Sequence, residues 1–391
     1  MGVGRGTPSN YLLQKGLTDA GHQIHFVVPR SEENKVSRLP GITFHYFSTP
    51  LASFGQQSGL LSRLVTKANW GFFVLAGWAK AKAVAESVKP DLVIGHASYG
   101  IPVAYLVARK MGIPNVSRLY GTFLYPHLSS FWQRFKKIEE VVAFKIPSNL
   151  MIITNDGTKG DEVARYFKVP KDRIRFWMNG VNKEIFDPNF DAADFKQRMG
   201  LSPNVALILS VSRLERWKGV HRLISAVPAV VGKRQDVVCV IVGDGSEKAA
   251  LVQLAEKLGV LSFVKFTGAI TAAEVAKYMN AADIVATLQD YSNVGNPLLE
   301  AMICGKCILT LSTGNTARLI KSGETGILLS LKDLEQLPKR IVDLLDDNAL
   351  RNELGQNARH YALDNFQSWD ERIKTEIAEL EELGSARRRI S

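Results

Sequence analysis

The sequence is poor in cysteine. Its 391 residues include only three, Cys239, Cys304 and Cys307, an odd number that argues against a disulfide framework. Cys304 and Cys307 have the C-x-x-C spacing of redox and zinc motifs, but they join the end of a predicted helix to a strand, and no second pair completes a zinc site. We therefore expect buried thiols in a reducing compartment.

Long apolar runs are also lacking. The most apolar window, Trp70 to Ala79, is about half as long as a membrane-spanning helix needs to be. The segment Met1 to Thr7 lacks the apolar core of a signal peptide. From these two absences we expect a cytoplasmic protein, at most peripheral on the inner face of a membrane.

Acidic residues are scarce in the first half of the chain. Residues 1–175 contain 23 Lys and Arg against 11 Asp and Glu, whereas residues 176–391 contain 26 against 27, so the net charge of +11 resides in the first half. This asymmetry predicts an anionic partner for that half. The sequence has no recognisable nucleic-acid module, and we expect no nucleic acid. An anionic membrane surface fits better, because basic residues gain about 1 kcal/mol each beside one.

Two segments of the basic half interleave aromatic and cationic residues, as helices at a membrane interface do. One is Phe131-Trp132-Gln133-Arg134-Phe135-Lys136-Lys137. The other runs from Leu60 to Trp78 and includes Leu61, Arg63, Leu64, Lys67, Trp70, Phe72 and Phe73. For each segment the alternative of an ordinary helix with a core-facing stripe stays open.

Short apolar strand patterns alternate with helical patterns along the whole chain. The strand patterns span 24–29, 92–96, 115–118 and 150–154 in a first block, and 205–211, 237–242, 264–267, 284–287, 307–311 and 326–328 in a second. Such alternation predicts an α/β fold with parallel sheets. Because the length exceeds that of a single core, we predict two Rossmann-like domains, 1–180 and 181–365, followed by a charged helical tail over 350–383.

One strand is lacking where the first domain should begin. A Rossmann-like domain starts with a central strand and then a glycine-rich turn. Here the turn, Gly2 to Gly6, opens the sequence, and a helical pattern with Leu12, Leu13 and Leu17 follows at once. We interpret this as a misassigned start or a truncation rather than a natural design.

Three elements suited to phosphate follow one another in the second block. The segment 212–219 carries Arg213 and Lys218 after the first strand, Gly243-Asp244-Gly245 follows the second strand, and a loop from Tyr291 opens a helix. In that helix Asn296 is a good N-cap and Pro297 suits the first helical position, so we expect its N-terminus to face an anion. The three elements together predict a pyrophosphate site.

Each of these residues has a chemical role in such a site. Glu300, one turn inside the helix, can accept hydrogen bonds from a ribose diol. Arg213 and Lys218 would stabilise the charge that grows on a nucleoside diphosphate as its glycosidic bond breaks, with about 3–4 kcal/mol from each good donor. The alternatives are a Glu that merely occupies a first helical turn, a solvated cationic surface and, for residues 243–245, a hairpin-like turn.

These motifs resemble glycosyltransferase family 4. The matching segments are Ser212-Arg213-Leu214 with Lys218-Gly219, Val242 to Gly245, Phe266 to Gly268, Leu299 to Met302 with Gly305, Gly323 to Gly326, the linker Asn179 to Asn182 with Phe186 and Pro188, and Ala358-Arg359 through Phe366 to Trp369. The resemblance implies a GT-B fold, in which two Rossmann-like domains face each other and a final helix over 366–391 crosses back to complete the first. It also implies retaining, metal-independent transfer from a nucleoside-diphosphate sugar, with no cofactor; in keeping with this, the sequence lacks an Asp-x-Asp motif.

The resemblance further implies which residues form the site. The catalytic set is Arg213, Lys218 and Glu300, and the donor-binding set is Gly4, Arg5, Gly6, Gly243, Asp244, Gly245, Ile270, Ser292, Asn293, Asn296, Pro297 and Leu298. Ser292 departs from the family, which has a glutamate eight positions before Glu300. We expect Ser292 or Asn293 to hydrogen-bond to sugar hydroxyls instead, which points to an altered choice of sugar.

On the acceptor side the candidates are His96 and Tyr120. Tyr120 stands where the family often has a His, and a phenol is a poor general base at neutral pH. Base catalysis is dispensable in the retaining front-face scheme, where the leaving phosphate accepts the acceptor's proton. His96 ends a strand pattern, and a purely structural histidine is its alternative interpretation.

The sequence thus predicts a hexosyltransferase-type enzyme that acts on a saccharide or lipid-linked acceptor in cell-envelope or exopolysaccharide synthesis. A GT-B sugar-nucleotide epimerase is one alternative. A non-catalytic nucleotide-sugar-binding partner subunit is another, favoured by Ser292, Tyr120 and the missing strand. Binding to DNA is the weakest alternative. The sequence does not determine the base, the sugar or the acceptor.

Overall fold

The computed structural model describes residues 8–30, 39–49 and 60–388. These residues form two compact units. Unit 1 lies within Met1–Asn155, Lys159–Met178 and Trp369–Ser391, and unit 2 comprises Asp156–Thr158 and Asn179–Ser368. The predicted phosphate loop of Gly4, Arg5 and Gly6 lies outside the described residues.

Unit 1 alternates strands and helices. Its elements are α1 (Pro8–Asp19), β1 (Ile24–Pro29), β2 (Ile42–Phe47), α2 (Leu60–Val88), β3 (Val93–His96), α3 (Ala97–Met111), β4 (Asn115–Leu119), α4 (Phe131–Lys136), α5 (Ile138–Lys145), β5 (Leu150–Thr154), α6 (Gly160–Tyr166), β6 (Ile174–Trp177) and α15 (Trp369–Arg388). β1 and β2 form a parallel pair, and β3-β4-β5-β6 form a parallel four-stranded sheet. No strand among the described residues joins these two sheets.

The predicted strands of unit 1 are present, and two more occur. β2 alternates apolar and polar residues, and β6 is half-buried along its length. Within β6, Arg175 Nε lies 2.6 Å from Glu379 Oε1 of α15. A strand with this composition lacks the apolar run that marks β5, which is buried throughout.

α15 is part of unit 1. Its side chains Ile373 and Leu380 share a core with residues of α1, β4 and β5, namely Leu13, Val116, Leu150 and Ile152. The charged tail predicted as one helix is in fact two, α14 (Asn348–Asn365) and α15, because the chain is extended at Phe366.

Unit 2 is a second α/β unit. Its remaining elements are α7 (Ala192–Arg198), β7 (Ala206–Val211), α8 (Val220–Val231), β8 (Val237–Val242), α9 (Lys248–Lys257), β9 (Val264–Gly268), α10 (Ala272–Ala281), β10 (Ile284–Thr287), α11 (Asn296–Ile303), β11 (Cys307–Leu311), α12 (Thr316–Leu319), β12 (Ile327–Leu329) and α13 (Leu337–Asp346). The six strands form one parallel sheet in the order β12-β11-β10-β7-β8-β9. The predicted α/β fold with parallel sheets is confirmed.

Buried apolar side chains hold the sheet of unit 2 to its helices. β8, β10 and β11 are buried at every residue, as strands covered on both faces are. Cys239, Cys304 and Cys307 are free and buried, as predicted. Among the described residues, no helix combines the length and the apolar character that crossing a membrane requires.

Candidate active site

The strand order of unit 2 contains a topological switch point between β7 and β10. From β7 the chain continues to β8 and β9 on one side of the sheet, and from β10 to β11 and β12 on the other. Ligands of open parallel sheets bind outside the carboxyl ends of the strands at such a point. The loop after β7 carries Arg213 and Lys218, and the loop after β10 leads to Glu300. The three predicted catalytic residues therefore lie on the two connections that flank this point.

The loop after β7 and the loop after β10 are in close contact through their backbones. Gly219 has φ +69°, and a Cβ on it would lie 1.9 Å from the carbonyl oxygen of Leu288. The Trp217 carbonyl accepts a hydrogen bond from the Asp290 N–H at 2.9 Å. Arg222 donates to the Leu288 carbonyl at 2.6 Å and pairs with the Asp290 carboxylate. The cationic loop is thus held against the loop after β10.

The Lys218 ammonium lies in the loop after β7. Nζ donates to Oε1 of Gln289 at 2.8 Å and lies 4.0 Å from the centroid of the Trp217 ring. Burial, and then the charge of Arg213, lower the pKa of Lys218 to about 8, while the charge of Asp156 opposes them. At neutral pH the side chain is still mainly a cation. Because it is largely buried, water would screen its attraction to a bound anion only weakly.

Asp156 lies near Lys218 and raises its pKa, and the sequence predicted no role for it. It enters unit 2 from the chain between β5 and α6, and its Oδ1 accepts from Thr158 N at 3.1 Å and Oγ1 at 2.6 Å. Next to it, a Cβ on Gly157 would lie 2.0 Å from Ser292 Oγ, and the Gly157 carbonyl accepts from Asn315 N at 2.8 Å. Burial raises the pKa of Asp156 to about 6. No local pattern marks this residue, because only the tertiary fold brings it to unit 2.

The Gly243-Asp244-Gly245 turn joins β8 to α9. A Cβ on Gly243 (φ +135°) would lie 1.8 Å from the carbonyl oxygen of Ser212. A Cβ on Gly245 would lie 2.4 Å from the carbonyl oxygen of Leu214. Asp244 is exposed, and its Oδ1 accepts from the Gly245 N–H at 2.8 Å. The glycines therefore serve the close approach of two loops; the contact of this turn with a donor diphosphate stays a prediction.

Asn293 braces the loop after β10 from inside. Its Oδ1 accepts from Gln289 N at 2.9 Å, its Nδ2 donates to the Leu311 carbonyl at 3.1 Å and to Thr313 Oγ1 at 2.9 Å, and its N–H donates to Thr316 Oγ1 at 3.0 Å. The side chain is fully buried. Contact of Asn293 with a sugar hydroxyl stays a prediction, and it would require one of these bonds to be exchanged.

α11 begins differently from the prediction. Its N-cap is Gly295, and Asn296 and Pro297 are the first two helical residues. The prediction that Asn296 caps the helix is wrong, because its Oδ1 accepts instead from Asn179 Nδ2 at 2.8 Å. No side chain of the described residues caps this helix. The N-terminus thus keeps its capacity to bind an anion.

Glu300 lies one turn inside α11 and is only partly exposed. Burial alone raises the pKa of its carboxyl group to about 7. Within the described ranges, no hydrogen-bond donor or cation pairs with this carboxylate. A desolvated carboxylate in this state is stabilised by any ligand that brings hydroxyl groups to it.

In unit 1, the two acceptor-side candidates contact each other. His96 Nδ1 and Tyr120 Oη are 2.7 Å apart, at the carboxyl ends of the paired strands β3 and β4. Burial, assisted by Arg118, lowers the pKa of His96 to about 4, and burial raises the pKa of Tyr120 to about 12. Both side chains are therefore neutral at pH 7, so the pair can donate and accept hydrogen bonds but carries no charge.

Two family models match successive parts of the chain. The model of the glycosyl transferases group 1 matches residues 191–361, and that of glycosyltransferase family 4 matches residues 9–185. The chain belongs to the group 1 glycosyltransferases of family 4.

Similar proteins support this assignment. This glycosyltransferase is 25% identical over 361 residues to N-acetyl-alpha-D-glucosaminyl L-malate synthase of Bacillus anthracis, covering 91% of this chain and 88% of that one. It is 33% identical over 251 residues to the GDP-mannose-dependent alpha-(1-6)-phosphatidylinositol monomannoside mannosyltransferase of Mycolicibacterium smegmatis, covering 60% and 64%. The crystal structure of Anabaena HepE with UDP and glucose matches 97% of both chains with a TM-score of 0.72 at 22% identity. The fold of the glycosyltransferase is GT-B, as predicted.

The predicted donor residues of the glycosyltransferase differ in how they are exposed. Leu298 is fully buried, so only its backbone is available to a ligand. Ile270 is half-buried in the loop between β9 and α10. Ser292 is buried and its Oγ accepts from Val294 N at 3.1 Å. Their contacts with a donor stay predictions.

Proposed function

We propose that this glycosyltransferase transfers a hexose-type sugar, with retention of configuration, from a nucleoside diphosphate to a saccharide or lipid-linked acceptor. One observation carries the proposal. The hydrogen bond of 2.8 Å between Lys218 and Gln289 joins the cationic loop to the loop that leads into the N-terminus of α11, which no described side chain caps. Cations and a helix N-terminus at one switch point suit a pyrophosphate. Glu300, whose carboxylate has no partner among the described residues, suits the ribose diol beside it.

The bond between the anomeric carbon and the phosphate oxygen breaks in the proposed reaction. A bond from the anomeric carbon to the acceptor oxygen forms on the same face, and the acceptor's proton passes to the leaving phosphate. Arg213 and Lys218 stabilise the negative charge on that phosphate, a contribution of about 3–4 kcal/mol for each good donor. Because side chains neutralise this charge, the proposed mechanism needs neither a metal nor another cofactor.

We place the reaction in cell-envelope or exopolysaccharide synthesis on the cytoplasmic side of a membrane. Two observations support this finer assignment. The first 175 residues carry a large excess of basic residues, and the Mycolicibacterium relative is named for an acceptor that contains phosphatidylinositol.

Thermal unfolding with nucleotide sugars tests the proposal. UDP, GDP, ADP and their common sugar conjugates would each be added to the wild type and to Lys218→Ala. We expect one nucleotide family to raise the Tm of the wild type. Lys218→Ala should keep the fold, lose most of this shift and lose transfer measured by mass spectrometry of the products. Arg216→Ala is the matched control, since Arg216 is an exposed cation of the same loop.

Other outcomes would reassign the protein. Conversion of the donor without any acceptor would indicate an epimerase, and stabilisation without turnover on any acceptor would indicate a binding subunit. Transfer by Lys218→Ala at the wild-type rate would contradict the proposed site.

A further inference from the structure

Large aromatic side chains stand exposed on α4 of unit 1. On this helix of six residues, the relative solvent exposures of Phe131, Trp132 and Phe135 are 64%, 71% and 56%. The helix is well formed, since Ser130 Oγ accepts from the Gln133 N–H at its start. The core-facing alternative for this segment is therefore wrong. Adjacent exposed aromatic residues mark an interaction surface.

α2 presents a second exposed apolar face. Ala68, Phe72, Leu75 and Ala79 are all exposed and recur at helical spacing on one side of this helix. Phe72 and Leu75 are large, with 47% and 62% exposure. A helix face that packs on its own unit would bury such residues.

The opposite side of α2 faces the interior of unit 1. Trp70 Nε1 donates to the Ser98 carbonyl at 3.2 Å. Phe73 packs edge-on against Phe47 and Tyr99, each with ring centroids 5.1 Å away. Of the residues predicted to touch a membrane, Trp70 and Phe73 thus belong to the interior, and Phe72 does not.

The two exposed faces belong to neighbouring elements. Lys67 of α2 donates to the Lys136 carbonyl at 2.7 Å and pairs with the Glu139 carboxylate at 2.5 Å. Lys67 directly precedes Ala68, the first residue of the exposed face of α2, and Lys136 directly follows Phe135. We call Phe131, Trp132 and Phe135, whose rings pack against one another, the aromatic patch; Phe72 and Leu75 add a second exposed apolar face on α2.

The charge beside the aromatic patch is positive. Lys136 is exposed, and Lys137 lies over the ring of Phe123 at 5.3 Å. The nearby acids have partners within the unit: Glu139 pairs with Lys67, and Glu140 accepts from the N–H of Phe123 at 2.9 Å and lies 3.8 Å from Lys137. The exposed Lys136 is therefore the cation that an anionic partner meets here.

We propose that the aromatic patch docks the protein on the surface of an anionic lipid bilayer. Aromatic rings suit the headgroup level of a bilayer, where lysines reach the lipid phosphates. The basic excess of residues 1–175 adds longer-range attraction to the same surface. The proposal concerns where the protein works and does not depend on the reaction proposed above.

Vesicle flotation with the full chain tests the proposal. Vesicles of phosphatidylcholine alone would be compared with vesicles that also contain phosphatidylglycerol. We expect the wild type to float with the anionic vesicles only, and added salt to weaken this binding. The triple variant Phe131→Ser, Trp132→Ser, Phe135→Ser should bind about tenfold less. Lys136→Glu should weaken binding while leaving every aromatic residue in place.

The matched control is the double variant Leu261→Ser, Leu331→Ser. It removes two exposed large apolar residues from unit 2 and should float like the wild type. Circular dichroism melting would check that each variant is folded. No flotation of the wild type, or equal flotation of the triple variant, would overturn the proposal. A dimer in light scattering that only the triple variant loses, without flotation, would show instead that the patch binds a second copy of the chain.

Discussion

Gly219 approaches Leu288 so closely that no side chain fits between them: a Cβ on the glycine would lie 1.9 Å from the carbonyl oxygen. Gly219 also directly follows Lys218. The position of the proposed catalytic cation therefore depends on a backbone contact that only glycine permits.

Gly219→Ala tests this dependence. The substitution forces the loop away from Leu288, and we expect the free energy of unfolding to fall by about 3 kcal/mol, as for overpacking with backbone strain. The transfer rate should fall at least about tenfold even where the variant is folded, since Lys218 moves with the loop. Urea unfolding and transfer assays would measure the two effects.

Gly259→Ala is the control for backbone strain. Gly259 has φ +67°, close to the +69° of Gly219, but nothing lies within 4 Å of the added Cβ. We expect a loss of about 1 kcal/mol and unchanged transfer. If the two variants lost the same stability and activity, the contact with Leu288 would be irrelevant.

The dependence of kcat/KM on pH should be bell-shaped. Protonation of Glu300, whose pKa is about 7, removes the charge that strengthens its hydrogen bonds with the ribose hydroxyls and gives the acid limb. Deprotonation of Lys218, whose pKa is about 8, removes the cation and gives the alkaline limb. Initial rates from pH 5 to about 10 would show both limbs.

Two variants should move the alkaline limb in opposite directions. Lys218→Arg retains a cation to high pH, so its limb shifts upward. Asp156→Asn removes a charge that raises the pKa of Lys218, so its limb shifts downward. An unchanged limb in both variants would mean that Lys218 does not titrate in the reaction.

Glu300→Gln should stabilise the protein while it weakens donor binding. Burial raises the pKa of Glu300 from 4.5 to about 7 in the folded state. The free energy of unfolding therefore falls as the pH rises from 4.5 to 7, and it stays at the lower value above pH 7. We expect the variant to gain up to about 2–3 kcal/mol at pH 8 and little below pH 4.5. Urea unfolding at both pH values would measure this gain. Equal stability at pH 8 would show that the carboxylate finds partners in solution.

A buried ion pair joins α15 to the sheet of unit 1. Arg118 Nε lies 2.9 Å from Glu376 Oε1, and Arg372 lies 2.7 Å from the other oxygen. Glu376→Ala would leave two buried cations uncompensated, and we expect a loss of about 3–5 kcal/mol. Asp343→Ala, which removes an exposed pair of the same helical spacing with Lys339, should cost under about 0.5 kcal/mol. Thermal melts of both variants would show how much more stability a buried ion pair contributes than an exposed one.

Sequence reasoning located the strands of unit 2 because strands covered on both faces are continuous apolar runs, such as 237–242. It missed β2 and β6, whose half-buried residues include polar ones such as His45 and Arg175. The charged helical pattern over 350–383 also joined α14 and α15, because residues 366–368 contain no Gly or Pro to mark the break; only the family resemblance implied a separate helix over 366–391.

The site was predictable only where a motif marks it. Arg213, Lys218 and Glu300 follow strands in recognisable patterns, and the fold brings their loops together. Asp156 lies in an unremarkable turn, and the contact between His96 and Tyr120 arises from the pairing of β3 with β4. Contacts of this kind depend on how segments that are distant in the sequence pair with one another. Composition and periodicity do not determine that pairing.

The place of α15 in the core of unit 1 bears on how the protein is made. Leu13 is translated before unit 2, whereas Ile373 and Leu380, which share its core, are translated after unit 2. The unit synthesised first must therefore wait with an incomplete core while the whole of unit 2 is translated and free to fold. Loss of a few turns of α15 would accordingly damage unit 1, although unit 2 separates the two along the sequence.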